Sequence, residues 1–525
     1  MKRIFTLIGV VALATTLSAQ SRSFEDFQAQ QNARFNQFKQ DKQAEFDAFR
    51  KKQNERYAEF MQKSWERFNA HPAVTPKEEE PVPPVVYQEP APVPTPAPKP
   101  DVTPTPAPAP QPAPQEEPKP SPAPQPAPEV EPKPIVVKDE VIQVPKPQPA
   151  PEPIAPVEPK KELPHKLYAI SFYGTLVSVG FPTNDVFKLE GLSEKQLSKA
   201  WNQLSSEKYD VTLNNVLAVR NNLSLCDWGY VEMLQAISEK RYGKTNEAVF
   251  MQAFLLSQSG YKIRLAMDEQ KLYLLVASQY SILSMSYFVI DGTKFYPLNC
   301  SSNQLNICNA SFDKEKSLSL QLRKEQKLEN QPTSPRKLSS KSGITANVSV
   351  NKNTIDFFNN YPSAYINEDV TTRWAVYANT PLDKSIQNAL YPVLKKSISG
   401  LSERDAVNKI LNFVQTAFVY EYDDKVWGGD RVFFAAETLY YPYADCEDRS
   451  ILFSRLVRDI MGLDVVLLYY PGHLAAAVAF TQEIKGDYLS YKNRKYIVCD
   501  PTYIGAPVGR TMPSMNNQEA QIILL

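Results

Sequence analysis

The chain has 525 residues, and its 58 basic and 58 acidic side chains give a formal net charge of zero. A neutral chain has no long-range attraction for nucleic acid or for an anionic membrane surface. Of its 45 prolines, 31 lie between Pro81 and Pro164, and a segment so rich in proline cannot build a hydrophobic core. The composition therefore excludes a single catalytic domain that fills the whole chain.

Residues 1–19 predict a signal peptide. Lys2 and Arg3 precede an apolar run from Ile4 to Leu17, and the run ends in small residues up to Ala19. The run is shorter than the ~20 residues that span a bilayer, and no cysteine follows it to carry a lipid anchor. We expect cleavage near Ala19 and a secreted or periplasmic protein with no transmembrane segment.

Residues 20–70 predict a long helix that carries an aromatic stripe. Polar helix formers surround the aromatic residues, and a period of eleven residues keeps one narrow face in line with a slight right-handed supercoil. One interpretation is self-association, or binding to an envelope partner, through residues 24–68. The other is a helix that rests on its own C-terminal domain or serves as a frayed spacer. The repeating aromatic residues are Phe24 and Phe27, Phe35 and Phe38, Phe46 and Phe49, Tyr57 and Phe60, and finally Phe68.

Residues 71–165 predict a disordered, proline-rich linker. Proline alternates there with small and charged residues, a composition typical of an extended polyproline II spacer. Such a spacer suits a protein that is tethered at one end and works at the other, although a passive linker has the same composition.

The residues that suggest chemistry lie near the C-terminus. Cys446 precedes a run with helical apolar spacing, His473 begins a strand of small residues, and Asp500 follows another strand. A cysteine in the first turn of a helix lies at the positive end of the helix dipole, which favours the reactive thiolate. An imidazole can take the thiol proton, and a carboxylate can orient the imidazole, so the three predict a nucleophile, a base and an orienting group.

The acidic neighbours of this cysteine oppose its activation. Asp445, Glu447 and Asp448 surround the thiol with negative charge, which disfavours thiolate. Arg449 is a candidate partner for one of these acids.

The same segments carry a resemblance to a known family. D-C-E-D-R-S at 445–450, G-H-L-A-A-A-V at 472–478 and C-D-P-T-Y at 499–503 resemble the transglutaminase-like superfamily, whose α+β fold is related to that of papain. The resemblance covers roughly residues 400–505. It implies that Cys446 is the nucleophile, His473 the general base and acid, and Asp500 the group that orients the imidazole, in a catalytic domain over residues 351–525.

A second, emptied copy is predicted upstream, over residues 166–312. A shift of 202 residues places Lys244 on Cys446 and Lys271 on His473, and a shift of 201 places Asn299 on Asp500. The alternatives are a degenerate domain and chance similarity of a helix–strand–strand unit. Residues 313–350, which are rich in Lys, Ser, Asn and Gln, are predicted to be a linker between the two regions.

The sequence thus predicts acyl transfer through a thioester on Cys446. Peptide or amide hydrolysis is favoured, since an amine acceptor must be specifically bound to compete with water; protein cross-linking and a non-catalytic envelope scaffold are the alternatives. The substrate would be a protein or peptide. No cofactor, metal or nucleic acid is expected, because the single histidine of residues 166–525 and the scattered cysteines give no ligand spacing. The five cysteines are an odd number, so at least one must lack an intramolecular partner, and Cys300 and Cys308 are close enough in sequence to pair.

Overall fold

The structure is a computed structural model that describes residues 2–63, 65–76, 81–88, 135–136, 149–157, 164–184, 186–298, 300, 302–366 and 368–525, with the side chains of 2–26 and 135–136 excepted. The described part mixes helix and sheet, which confirms the α+β class. Its helices are α1 Lys2–Met61, α2 Glu194–Leu204, α3 Asp210–Asn222, α4 Asp227–Tyr242, α5 Asn246–Gln258, α6 Lys352–Asn359, α7 Arg373–Asn379, α8 Lys384–Ile398, α9 Glu403–Ala417, α10 Asp423–Trp427, α11 Ala435–Tyr440 and α12 Cys446–Met461.

The strands form two large antiparallel sheets and several short pairs. In chain order they are β1 Trp65–Asn69, β2 Ile135–Val136, β3 His165–Phe172, β4 Thr175–Pro182, β5 Ile263–Met267, β6 Leu272–Ala277, β7 Ser281–Ile282, β8 Phe288–Ile290, β9 Thr293–Pro297, β10 Gln304–Cys308, β11 Arg336–Ser339, β12 Thr345–Val348, β13 Ala364–Tyr365, β14 Asp464–Tyr470, β15 His473–Ala479, β16 Tyr488–Tyr491, β17 Arg494–Cys499 and β18 Gln521–Leu524.

The predicted N-terminal helix is present but ends earlier than expected. Helix α1 ends at Met61, and Phe68, expected to be the last residue of the aromatic stripe, lies in β1. Strand β1 pairs along its whole length with β10, so hydrogen bonds to a sheet edge replace those of a further helical turn. The expectation of a helix up to residue 70 is wrong for this reason.

The C-terminal part of α1 rests on the chain's own folded region. The Tyr57 ring stacks on Trp201 at 4.3 Å and on Phe312 at 4.6 Å between ring centroids, and Arg50 pairs with Asp210 at 2.7 Å. The rest of the stripe is not covered in this way. Six of its phenylalanines are between 39% and 66% exposed: Phe27, Phe35, Phe38, Phe46, Phe49 and Phe60.

Several pieces of the predicted linker dock on the folded region. His71 stacks on Tyr287, residues 81–88 lie against the loop after β17, and β2 pairs in parallel with β16. Ile154 donates from its backbone to Gln258 at the end of α5. These pieces correct the expectation of a free spacer; the remainder of residues 71–165 lies outside the described residues.

The two sheets repeat one topology. One runs β10-β5-β6-β9-β8 with β1 added at its β10 edge, and the other runs β18-β14-β15-β17-β16 with β2 added at its β16 edge. Without the added strands, both sheets have their strands in the order fifth, first, second, fourth, third, and every pairing is antiparallel. We call residues 165–308 the first unit and residues 336–524 the second unit.

The register of the two sheets also agrees. The paired residues Ile263 and Val276 each lie 202 positions before the paired residues Val465 and Val478. Each sheet packs against the helix that directly precedes its first strand in sequence. This helix is α5 in the first unit and α12 in the second. Each unit also begins with a hairpin, β3–β4 or β11–β12. The interpretation of the first unit as a degenerate domain remains a proposal, now with matching order and register in its favour.

Residues 313–350 are folded, which corrects the expectation of a linker. Leu318, Leu320 and Leu322 are buried. Hairpin β11–β12 binds helix α9 through Ser342, whose backbone N–H donates to Asn412 Oδ1 at 2.9 Å. Leucine alternates with polar residues at 318–322, which is a pattern typical of a strand. The linker prediction rested on the overall content of lysine and serine and did not take this alternation into account. Among the described residues, no helix has both the length and the apolar character needed to cross a membrane.

Candidate active site

Cys446 is the first residue of helix α12. Asp445 caps the helix: its carboxylate accepts from the Asp448 backbone N–H, and Asp448 accepts in return from the Asp445 backbone N–H, both at 3.4 Å. The helix ends at Gly462 in the left-handed region, and the Ser450 hydroxyl donates to the Leu474 carbonyl at 2.9 Å. The sequence therefore presents the thiol at a helix N-terminus that is tied to the strand carrying His473.

His473 and Asp500 meet through the sheet. They come from adjacent antiparallel strands, His473 at the start of β15 and Asp500 directly after β17. Asp500 Oδ2 lies 2.9 Å from His473 Nε2, and its Oδ1 accepts from the backbone N–H groups of Thr502 and Tyr503 at 2.8 and 3.1 Å. Asp500 thus caps a turn and orients the imidazole at once, because each carboxylate oxygen performs one task.

The thiol lies beside the histidine strand. Cys446 Sγ accepts from the backbone N–H of Leu474, the residue after His473, and lies 3.4 Å from Glu447 Oε2. His473 Nδ1 is buried and has no hydrogen-bond partner among the described residues. Asp500 therefore binds the imidazole through Nε2, while Nδ1 remains available to form a hydrogen bond with another group.

The surroundings of the thiol favour its neutral form. Burial, then the Glu447 carboxylate, then that of Asp445 raise the pKa of Cys446 well above the usual range of a thiol. Burial also raises the pKa of Glu447, as it does those of Asp445 and Asp448. The positive end of the helix dipole is outweighed in this closed arrangement.

Among the described residues Arg449 forms no direct ion pair with these acids, contrary to its expected role as a partner, although the charges of Asp445 and Asp448 act on it. Its guanidinium donates to the carbonyls of Ala444, Gln415 and Phe418 at 3.3, 3.2 and 2.9 Å. The side chain therefore joins the start of the cysteine helix to the end of α9. A basic residue three after the cysteine was visible in sequence, but the carbonyls that surround it are set by tertiary packing.

The residue that sequence reasoning missed is Gln415. Its Nε2 donates to the carbonyls of Asp500, Tyr503 and Ala506 at 3.0, 2.8 and 3.0 Å, and its Oε1 accepts from the Gly505 N–H at 3.1 Å. One amide therefore holds the loop that carries Asp500. The available signal was a polar residue among the apolar positions that α9 buries.

Two groups of side chains near the thiol have ligand atoms close enough to share a cation. They are Asp423, Asp430 and Glu447, and Asp445, Cys446 and Glu447, with ligand atoms within 4.8 Å of one another. The Arg373 guanidinium already pairs with Asp430 and lies 3.9 Å from Glu447. The Arg373 guanidinium therefore already supplies a positive charge beside Asp430 and Glu447. We assign no metal ion to either group of side chains.

The remaining cysteines are not part of this site, although Cys499 immediately precedes Asp500. In the described part of the chain all five cysteines are free thiols, so Cys300 and Cys308 are not joined. Cys499 is fully buried in the core beneath β17, as expected for the face opposite Asp500. Burial raises the pKa of Cys499 above the usual range of a thiol, so it is a poor nucleophile.

The corresponding place in the first unit has different residues. Asn246, not Lys244, begins helix α5, and its Oδ1 accepts from the Leu272 N–H at 3.0 Å, as Cys446 accepts from Leu474. Helix α5 has 13 residues, whereas α12 has 16, and Lys244 precedes α5. The predicted match of Lys244 with Cys446 at the start of the helix is therefore corrected. The sheet register keeps Lys271 at the position of His473. Asn299 lies outside the described residues.

This chain matches no family model, no curated protein and no solved structure with which it was compared.

Proposed function

We propose that the chain is an extracytoplasmic cysteine enzyme that transfers acyl groups through a thioester on Cys446, with peptide or amide hydrolysis as its reaction. One observation carries the proposal. Asp500 lies 2.9 Å from His473 Nε2, while His473 Nδ1, next to the strand residue that binds the thiol, has no hydrogen-bond partner in the described part of the chain. The transglutaminase-like resemblance of the three segments and the basic, apolar start of the chain support the same proposal.

The chemistry follows from the contacts. As Cys446 Sγ attacks the substrate carbonyl carbon, His473 Nδ1 takes the thiol proton, and Asp500 stabilises the imidazolium through the proton on Nε2. The backbone N–H of Cys446, in the first turn of α12, is one donor for the oxyanion.

The imidazolium then gives its proton to the leaving amine, and a thioester remains on the sulfur. A water molecule, deprotonated by His473, attacks the thioester carbonyl. The products are a carboxylic acid and the restored thiol.

Replacement of Cys446 tests this proposal. We expect Cys446→Ala to lower cleavage of a mixture of cell-envelope peptides by about 1000-fold or more, because no other nucleophile occupies the helix start. Cys499→Ala is the matched control, since Cys499 lies on a neighbouring strand but faces the core. The measurement is mass-spectrometric profiling of cleaved products by the purified full chain.

Three outcomes would decide the reaction. Glutamine–lysine cross-links in place of new termini would replace hydrolysis by transamidation. Equal turnover by wild type and Cys446→Ala would overturn the role of the thiol. No acyl transfer by the wild type in either assay, with or without the release of residues 81–88 described below, would leave the scaffold alternative.

A second role is favoured by the uncovered part of α1. Its exposed phenylalanines repeat at eleven residues, so two copies of the helix present matching stripes in register. We propose that this stripe joins two copies of the chain. The enzyme would then be displayed on a self-associating stalk.

A further inference from the structure

Residues 81–88, Pro-Val-Pro-Pro-Val-Val-Tyr-Gln, form an extended segment that we call the strap. Its three prolines restrict the backbone to extended conformations, so little further entropy is lost when it binds. Proline has no backbone N–H, so the strap has few backbone donors. Two of them, at Val82 and Tyr87, bind the second unit.

The strap is held on the second unit through its backbone. Val82 N donates to the Gly472 carbonyl at 3.1 Å, and Tyr87 N donates to the Ile504 carbonyl at 2.9 Å. Ile504 N donates in return to the Val85 carbonyl at 2.8 Å. These bonds run in both directions, as when a peptide adds to the edge of a sheet.

The side chains of the strap alternate between contact and solvent. Val82, Val85 and Tyr87 pack on a small apolar cluster, and the Tyr87 ring meets that of Tyr503 edge-on at 5.6 Å between centroids. Val86 points outward and is 65% exposed. The cluster beneath the strap consists of Tyr503, Ala506 and Met512.

The anchoring points of the strap belong to the candidate active site. Gly472 immediately precedes His473, and Ile504 follows the turn that Asp500 caps, so the strap bridges the two backbone segments that present these residues. The three side chains of the site are buried: Cys446 is 6% exposed, His473 2% and Asp500 3%. A peptide bond could reach the sulfur only after something moves.

The corresponding place in the first unit holds a cavity. It has a volume of about 670 Å³ and is lined by Asn246, Lys271, Leu272 and Leu298 among others. The two units share sheet order and register, so the fold itself does not require a closed cleft.

We propose that the strap is an intramolecular occupant of the peptide-binding groove of the second unit and keeps Cys446 closed. The groove would accept an extended peptide with apolar residues at alternating positions, held by its backbone, and substrate and strap would compete for it. This inference rests on the proposed function for its biological meaning, but thiol access can be measured without any turnover.

The test compares two adjacent valines in the full chain. Val85→Asp places a charge on the apolar cluster, whereas Val86→Asp places the same charge in solvent and is the matched control. We expect iodoacetamide to label Cys446 about tenfold faster in Val85→Asp than in wild type, and at the wild-type rate in Val86→Asp. Val82→Pro, which removes one donor without adding charge, should give a smaller increase.

Each outcome decides the inference. Hydrogen exchange that shows the strap released in Val85→Asp, with unchanged labelling of Cys446, would overturn it, as would equal acceleration by Val85→Asp and Val86→Asp. A synthetic peptide of residues 81–88 added to Val85→Asp should restore slow labelling. Faster labelling without any acyl transfer in either variant would remove the proposed enzymatic function and leave the strap as the occupant of a binding groove.

Discussion

At the scale of single residues, the site contains an Asp500–His473 pair suited to activating the thiol and a neighbour, Glu447, that opposes its ionisation. Asp500 fixes the imidazole through Nε2, as a triad requires, whereas Glu447 lies 3.4 Å from the sulfur and favours the neutral thiol. Burial acts in the same direction and raises the pKa of Cys446 further. The negative charge seen in the sequence around Cys446 therefore has its expected effect, and one residue, Glu447, contacts the sulfur directly.

Removing the Glu447 charge should make the thiol more acidic. We expect Glu447→Gln to label with iodoacetamide about three to tenfold faster than wild type at pH 7, because the lowered pKa of Cys446 increases the thiolate fraction there. In both proteins the rate should rise with pH, since thiolate forms as pH approaches the pKa from below.

The pH dependence separates charge from structural damage. The advantage of Glu447→Gln should shrink toward acid pH, where the Glu447 carboxyl of the wild type is itself protonated. Glu483→Gln, a change at an exposed acid far from the site, is the control. An advantage that persists unchanged at acid pH would point to loosened packing instead of electrostatics.

At the scale of elements, helix α9 positions a loop that belongs to another part of the chain. Gln415 binds three carbonyls and one N–H of residues 500–506, and its side chain is buried. The strap docks on the same loop through Ile504, so we expect both the orientation of Asp500 and the proposed closure of the site to depend on this amide. Gln415 is therefore a positioning residue.

Gln415→Met tests that role. Methionine has a similar length but no donors, so three buried carbonyls lose their partner, and we expect the free energy of unfolding to fall by about 1–3 kcal/mol. Urea unfolding measures the change, and hydrogen exchange should accelerate at residues 500–506. Asn408→Met is a useful comparison, because Asn408 on the same helix supports Val508 through a single bond of 2.7 Å.

A general loss of stability would give a different pattern. If Gln415→Met and Asn408→Met have equal effects on exchange at 500–506, the amide of Gln415 has no special hold on that loop.

At the scale of the whole molecule, α1 is divided between two environments. Its C-terminal part packs on the first unit through Arg50 and Tyr57, so the helix is fixed to the fold. Five of its six exposed phenylalanines lie on the part before Arg50, and only Phe60 lies after it among the described side chains. A regularly spaced apolar stripe left in water favours association with a like surface.

Charges on the stripe should separate the copies. We expect Phe35→Asp together with Phe38→Asp to weaken self-association by about tenfold or more, because each phenylalanine loses the apolar area that it would bury. Ala33→Asp with Gln40→Asp adds the same charge on the opposite face of the helix and serves as control. Sedimentation at several concentrations gives the measurement, and a wild-type chain that stays monomeric throughout would contradict the proposal.

Local patterns in the sequence were enough for several features. The eleven-residue period predicted the helix, and α12 begins at Cys446 because Asp445 can cap it and apolar residues follow at helical spacing. The shift of 202 residues between the hairpins is also correct at Lys271 and His473, since strand spacing is local. Each of these depends on residues within a few turns or one hairpin of each other.

Contacts between distant segments were decided only by the tertiary structure. The partners of Arg449 and Gln415, the end of α1 at Met61, the buried residues after 313 and the docking of residues 81–88 all involve groups far apart in the chain. A hydrogen-bonding side chain or an extended segment can satisfy its polar groups with many partners, and composition does not say which. The choice is made when the two sheets and their helices close around one another, because only then does one partner lie within bonding distance.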